Sequence, residues 1–195
     1  MAKLSFLIFF NLIVFSSITI THSFSYAQNL NLIRDSEIEN TIRGYSSPLL
    51  KAAGLPDSSV RIHIVNDNNI NAFVTNGLNI FINTGLIINS DSIGEITGVI
   101  AHEIGHLEGA HLARSKEAIR NAENEIILAQ ILGALTAIGS QNSKSTGNAA
   151  SAIILAGSAT AQNRFLRYNR SQEQAADQAA LKYLDNTKQS ANGLL

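Results

Sequence analysis

Along SVRIHIVND, Val60, Ile62 and Ile64 alternate with Arg61 and His63, the two-residue period of a half-buried strand. His63 is then a solvated residue on its polar side. The next stretch, NINAFVTNGLNIFINTG, holds two further short strands, around Ala72 to Thr75 and Leu78 to Ile82. They are separated by Asn76-Gly77, the pair that a tight type I′ hairpin favours. A small antiparallel sheet is the expected result. After it the period changes. Ile93, Ile96, Ile100, Ile104 and Leu107 recur every three or four residues, and Ser92 with Glu95 forms a capping box, so a helix begins near Ile93. Upstream, Leu30, Ile33, Ile38, Ile42, Leu49 and Leu50 fall at mostly helical spacing that is interrupted at Gly44 and again before Pro48, which predicts two short helices over residues 28–55. Downstream, helix continues past Arg114 through 126–138, passes the polar stretch GSQNSKSTGN, and resumes over about 149–188. The expected class is α+β, mainly α.

Length and composition narrow this picture. At 195 residues the chain suits one domain. Its first residues carry Lys3, an apolar run from Leu4 to about Ile20, and Ser25-Tyr26-Ala27, with small residues three and one before a cut. Residues 1–27 are therefore read as a secretory signal peptide and 28–195 as the mature domain. The alternative is an uncleaved membrane anchor. There is no cysteine, so an exported chain must fold without disulfides, which suits a bacterial periplasm. The formal net charge of −1 and the lack of any Lys/Arg cluster exclude a nucleic-acid binder. Two apolar runs, 126–138 and 149–161, are each too short to span a bilayer, which takes about 20 residues. They are expected either to bury one another as a helical hairpin or to touch a membrane surface or cover a site.

The chemistry is concentrated in VIAHEIGHLEGAHLAR, where His102, Glu103, His106, Glu108 and His111 crowd ten residues. Histidines four apart stand one turn above one another on a helix, so His102 and His106 can meet one ion. Zinc suits that pair. A catalytic zinc takes three protein ligands and keeps a position for water, and Glu103 can accept the water's proton and pass it to a leaving amine. H-E-x-x-H thus supplies two ligands and a base in five residues. The pattern H-E-x-x-H-x-x-G-x-x-H would need histidine at Leu112, and the sole methionine is Met1, so no Met-turn exists. A glutamate from a later helix is left to complete the site. In RYNRSQEQAADQAALKYL, Glu173 is the best candidate. Asp177, one turn on, can fix the tautomer of a ligating histidine. Arg170 can pair with an acid and hold the helix in register. Glu108 and His111 are surface groups or support the ligands from behind.

These residues resemble the HtpX/BepA-like zinc metallopeptidases, gluzincins of peptidase family M48. The resemblance covers most of the mature chain: Asn71-Ala72-Phe73 before a glycine turn, Gly85-Leu86, the run HEIGHLEGAHLAR, and Arg170-x-x-Glu173-x-x-x-Asp177. It implies one zinc held by His102, His106 and Glu173, with Glu103 as base, in a mainly helical gluzincin-like domain whose small sheet lies beside the active-site helix. It also implies that extended substrate adds as a strand to the sheet edge, expected at Leu78 to Ile82. Main-chain pairing reads little sequence. This fits the periplasmic branch of the family, cleaving misfolded or unassembled envelope proteins; peripheral membrane contact through 126–138 and 149–161 is a further expectation.

Two departures from the family pattern stand out. Relatives often read Glu-x-Glu-Ala-Asp, where this chain has Glu173-Gln174-Ala175-Ala176-Asp177. The chain also stops at Leu195, where relatives continue through further helices, so it is expected to lack the carboxy-terminal part of the domain, and no residue is assigned to stabilise an oxyanion. That ending motivates a second expectation: a zinc-stabilised, chaperone-like module that holds unfolded proteins without cutting them.

Overall fold

Isoleucines at alternate positions of two strands and at every third or fourth position of a helix meet in a single core. The computed structural model describes residues 30–139 and 144–194; the signal peptide expected over 1–27 lies outside them. Four strands, β1 (Leu32–Ile33), β2 (Arg61–Val65), β3 (Ala72–Thr75) and β4 (Asn79–Asn83), form one sheet in the order β1-β2-β4-β3. Among the described residues five α-helices accompany it: α1 (Ser36–Ala52), α2 (Thr84–Asn89), α3 (Ile93–Glu108), α4 (His111–Gly139) and α5 (Lys144–Thr187). Ile62 and Ile64 of β2 and Ile80 and Ile82 of β4 turn one sheet face onto Ile96, Ile100 and Ile104 of α3, Leu49 and Leu50 of α1, and Tyr183 and Leu184 of α5. At roughly 1.5–3 kcal/mol for each buried aliphatic side chain, this cluster fixes α3 against the sheet.

The sheet is mixed, where an antiparallel one was expected. β3 and β4 do form an antiparallel hairpin, but β2 and β4 run parallel, pairing Ile62 with Ile80 and Ile64 with Ile82. The segment after β2 carries the chain past β4's place to lay β3 at the far side, and the hairpin then returns β4 into the middle. Leu78–Ile82 is therefore interior, and β3 is the edge strand nearest α3. The hairpin loop also differs from a two-residue Asn76-Gly77 turn. Thr75 pairs with Asn79, leaving Asn76, Gly77 and Leu78 as a three-residue connection with left-handed backbone at Gly77 (φ 81°) and Leu78 (φ 56°). A leucine there costs roughly 1–2 kcal/mol, offset by packing of the Leu78 side chain on the core. On the outer face Phe73, Phe81 and His63 stack across β3, β4 and β2, with ring centroids 5.2 and 4.9 Å apart. His63 is thus half-buried rather than solvated, and its Nε2 lies 3.2 Å from Asn79 Oδ1.

The helices differ from expectation in several places. Instead of two short helices, one continuous α1 runs through Gly44 and Pro48, capped by the Asp35 carboxylate, which accepts from the Glu37 and Ile38 amides. A mid-helix proline costs about 3 kcal/mol; burial of Ile42, Leu49 and Leu50 on both sides of it outweighs that. Ser92 does cap α3, but its hydroxyl makes no capping bond, and Glu95 reaches back to the Asp91 amide instead. The helix carrying the histidines does not run on: it stops at Gly109, Ala110 takes φ 50°, and α4 restarts at His111. α5 begins at Lys144, ahead of Ala149. The apolar runs of α4 and α5 pack on each other as a hairpin, yet Ile127, Leu128, Ile131, Leu132, Leu135 and Leu155 remain exposed, so the hairpin leaves most of its large aliphatic residues uncovered.

The contact between α3 and α5 is unusually close at Gly105, where a Cβ would stand 2.8 Å from the Ala176 carbonyl oxygen and 3.0 Å from its Cα. Gly105→Ala should lower unfolding stability by about 1–3 kcal/mol through this overlap, although alanine is the better helix former. Gly44→Ala in α1, where a Cβ meets nothing within 4 Å, should raise it by about 0.4–1 kcal/mol. Urea denaturation of the two variants checks the opposite signs.

Candidate metal centre

One turn of α3 separates His102 from His106, and the helix geometry brings their Nε2 atoms to 3.0 Å. Glu173 arrives on α5. Its Oε2 lies 3.3 Å from His102 Nε2 and 3.4 Å from His106 Nε2. The three donor atoms lie within 4.8 Å of one another. Two imidazoles and a carboxylate are the donor set of a mononuclear site with a position left for solvent, so the residues present fit a divalent ion. Glu173 is 60% exposed in its side chain, against 21% and 15% for the two histidines, so the cluster opens to solvent on the glutamate side.

Behind the donors each imidazole has a partner on its other nitrogen. His102 Nδ1 lies 2.8 Å from Asp177 Oδ1, and donation to that carboxylate leaves the Nε2 lone pair facing the cluster. His106 Nδ1 lies 2.9 Å from His111 Nδ1. On an unbroken helix, residues five apart point well away from each other. The left-handed Ala110 turns the chain so that His111, itself buried, backs onto His106. Burial lowers the pKa of both His106 and His111, which favours the neutral imidazole that can ligate or accept a hydrogen bond.

Glu103 points to the interior side of α3 and is only 8% exposed. Burial first, and the nearby Glu173 charge second, push its carboxyl up to about 8. It shares a cavity of about 320 Å³ with His102, His106, Glu173 and the β3 residues Phe73 and Val74. The sequence carried no sign that β3 forms this wall, because a period-two strand does not reveal which strand of a sheet will be its edge. Asn169 and Gln172 also line the cavity, and nothing in their spacing singled them out.

Of the other sequence candidates, Glu108 is exposed. Arg170 departs from expectation: it is exposed and makes no ion pair among the described residues. The acid one turn on along α5, Glu173, is turned to the imidazoles instead. The structure therefore brings together His102, Glu103, His106, His111, Glu173 and Asp177, and leaves Arg170 outside.

Comparison with known proteins agrees with this geometry. Residues 34–195 match Peptidase family M48. Over 156 residues the chain is 28% identical to the beta-barrel assembly-enhancing proteases of Escherichia coli strain K12 and of Yersinia pestis, covering 80% of this chain and 31% of each relative. The Vibrio cholerae counterpart is 30% identical over 166 residues, covering 85% of this chain and 33% of its own length. The chain thus spans about a third of the length of these relatives. With nearly all of the described residues inside the match, the chain belongs to peptidase family M48, a family of metallopeptidases.

Proposed function

We propose that the chain is a zinc-dependent endopeptidase acting on misfolded or unassembled envelope proteins in the bacterial periplasm. The convergence of His102, His106 and Glu173 carries this reading. The leader-like pattern of residues 1–27 and the absence of cysteine support the compartment. The naming of relatives as beta-barrel assembly-enhancing proteases supports an envelope role.

A divalent ion, when bound, supplies positive charge that polarises a peptide carbonyl and acidifies water. The rest falls to this chain's residues. The Glu103 carboxylate, next to the imidazoles and lining the same cavity, accepts the attacking water's proton and returns it to the leaving nitrogen. Asp177 and His111 keep the two imidazoles in the tautomer whose Nε2 is free to ligate. The outer side of β3, at the sheet's edge and along the cavity wall, offers main-chain N–H and C=O groups to an extended substrate. Pairing of that kind accepts many sequences, as a substrate class defined by lack of folding requires.

Purified protein should bind one equivalent of zinc and degrade unfolded casein, and chelation should stop the cleavage. Glu103→Gln should bind zinc as before while turnover falls by about 100-fold or more. Retention of casein without turnover, equal in wild type and Glu103→Gln, would overturn the enzymatic reading in favour of a module that holds clients. His111→Ala should weaken zinc binding by about 10–100-fold with little change in helix content, measured by competition with a chromogenic chelator.

Protonation gives a further expectation for the metal-free protein. The folded state holds the Glu103 proton up to about pH 8, whereas an unfolded chain releases it near 4.5. The folded state therefore loses relative stability as pH rises between those values. Glu103→Gln removes that loss, so the variant should gain on wild type in thermal stability across this window and level off above it. Melting curves of both proteins in chelator test the sign.

A further inference from the structure

The distal part of the α4–α5 hairpin is built with its large side chains outward. Between Glu125 and Arg164 the sequence holds one charged residue, Lys144. Where the two helices meet, the residues are small. Ala129, Ala150 and Ala161 are buried; a Cβ on Gly133 would stand 2.6 Å from Ile154 Cγ1, and one on Gly157 would strike the Ala129 methyl. Ile154 enters the seam against Gly133, and Ile126 and Ile153 are half-buried, but the larger share of the aliphatics takes the other side. Ile127, Ile131 and Leu135 form one i, i+4 line on α4, and Leu128 and Leu132 form a second line beside it. These five, with Leu155 of α5, are 47–70% exposed.

A hairpin stabilised by water would place its leucines and isoleucines in the seam and its polar residues outside. A seam mostly of small residues with most large aliphatics outside is the arrangement helices adopt where the surroundings are as apolar as leucine, so that close backbone packing holds the pair together. We propose that this arm of the hairpin seats in a lipid bilayer, with the Ile127–Leu135 face of α4 against the acyl chains. A protein partner would need only one complementary groove. Apart from Lys144 at the start of α5, the arm carries no charged group on any side, which hydrocarbon demands and a protein groove does not. No described helix is long and apolar enough to cross a membrane, so the arm lies in one leaflet, its apolar face about 5–10 Å deep. This inference is independent of the proteolytic reading, since it uses none of the residues of the metal centre.

The test is co-sedimentation of the full chain with vesicles of phosphatidylethanolamine and phosphatidylglycerol. Wild type should pellet with vesicles and stay bound in high salt, because apolar area rather than charge drives the contact. Ile127→Ser, Ile131→Ser and Leu135→Ser together should cut the bound fraction by about tenfold or more. Ile88→Ser, at a still more exposed position in α2, should leave it unchanged. The chain has no tryptophan, so a single Leu128→Trp variant reports on the arm even if the triple variant misfolds. Its indole emission should shift to the blue with vesicles and be quenched by brominated acyl chains. Wild type that stays in the supernatant, unshifted emission from the Leu128→Trp variant, or a triple variant that pellets like wild type would overturn the proposal. So would wild-type self-association without lipid that the triple variant abolishes, which would assign the face to a second copy of the chain.

Discussion

Everything at the metal centre depends on how closely α5 lies against α3. Two imidazoles one turn apart are a property of a single helix, but the third donor is contributed from a distant part of the chain. A carboxylate can meet both Nε2 atoms only if the two helix axes approach within a narrow distance. Gly105 permits that approach: the space its missing side chain leaves is filled by the Ala176 backbone. Glu173, one turn before this contact, and Asp177, immediately after Ala176, are thereby delivered to opposite edges of His102. Packing of Tyr183 and Leu184 into the sheet core anchors the same helix further on.

Burial then sorts the acidic groups by task. Glu103, on α3's inner side, loses its solvation and retains a proton far above the ordinary carboxylate range. Glu173 and Asp177 stay largely solvated and engage imidazole nitrogens. Three carboxylates within one small site thus differ because one is covered by the fold and two are not. The sheet adds direction. The Phe73–Phe81–His63 stack ties the edge strand to the strands behind it, so the wall that faces the cavity is held by side chains on its far side as well as by the β4 ladder.

The long α4–α5 pair combines two environments in one element. Near its base it supplies His111, Glu173 and Asp177 to the site. Farther out its seam is mostly alanine and glycine and most of its large aliphatic residues turn outward. Both parts of α5 belong to one helix. From Leu155 to Glu173 the rise is about 27 Å, so the apolar arm and the ligand are linked by a rod without a described break.

The sequence by itself determined whatever depends on neighbours along the chain. The HExxH spacing fixes His102, Glu103 and His106 on one helix, the change from period two to period three or four marks where the sheet ends, and the Glu173–Asp177 spacing marks a second helix with two acids on one side. It also placed the β3–β4 hairpin. Tertiary structure decided the rest. It kept α1 continuous through Pro48, because burial on both sides outweighed the lost hydrogen bond. It moved the left-handed turn to Gly77-Leu78, because the Leu78 side chain is drawn to the core, and it made β3 rather than β4 the edge, because strand order follows from how the chain crosses over. It turned His111 onto His106 through a left-handed Ala110, and it left Arg170 outside the site once the acid one turn from it was engaged by histidines. Periodicity records which residues share a face; what that face meets is fixed only when distant segments compete for the same space.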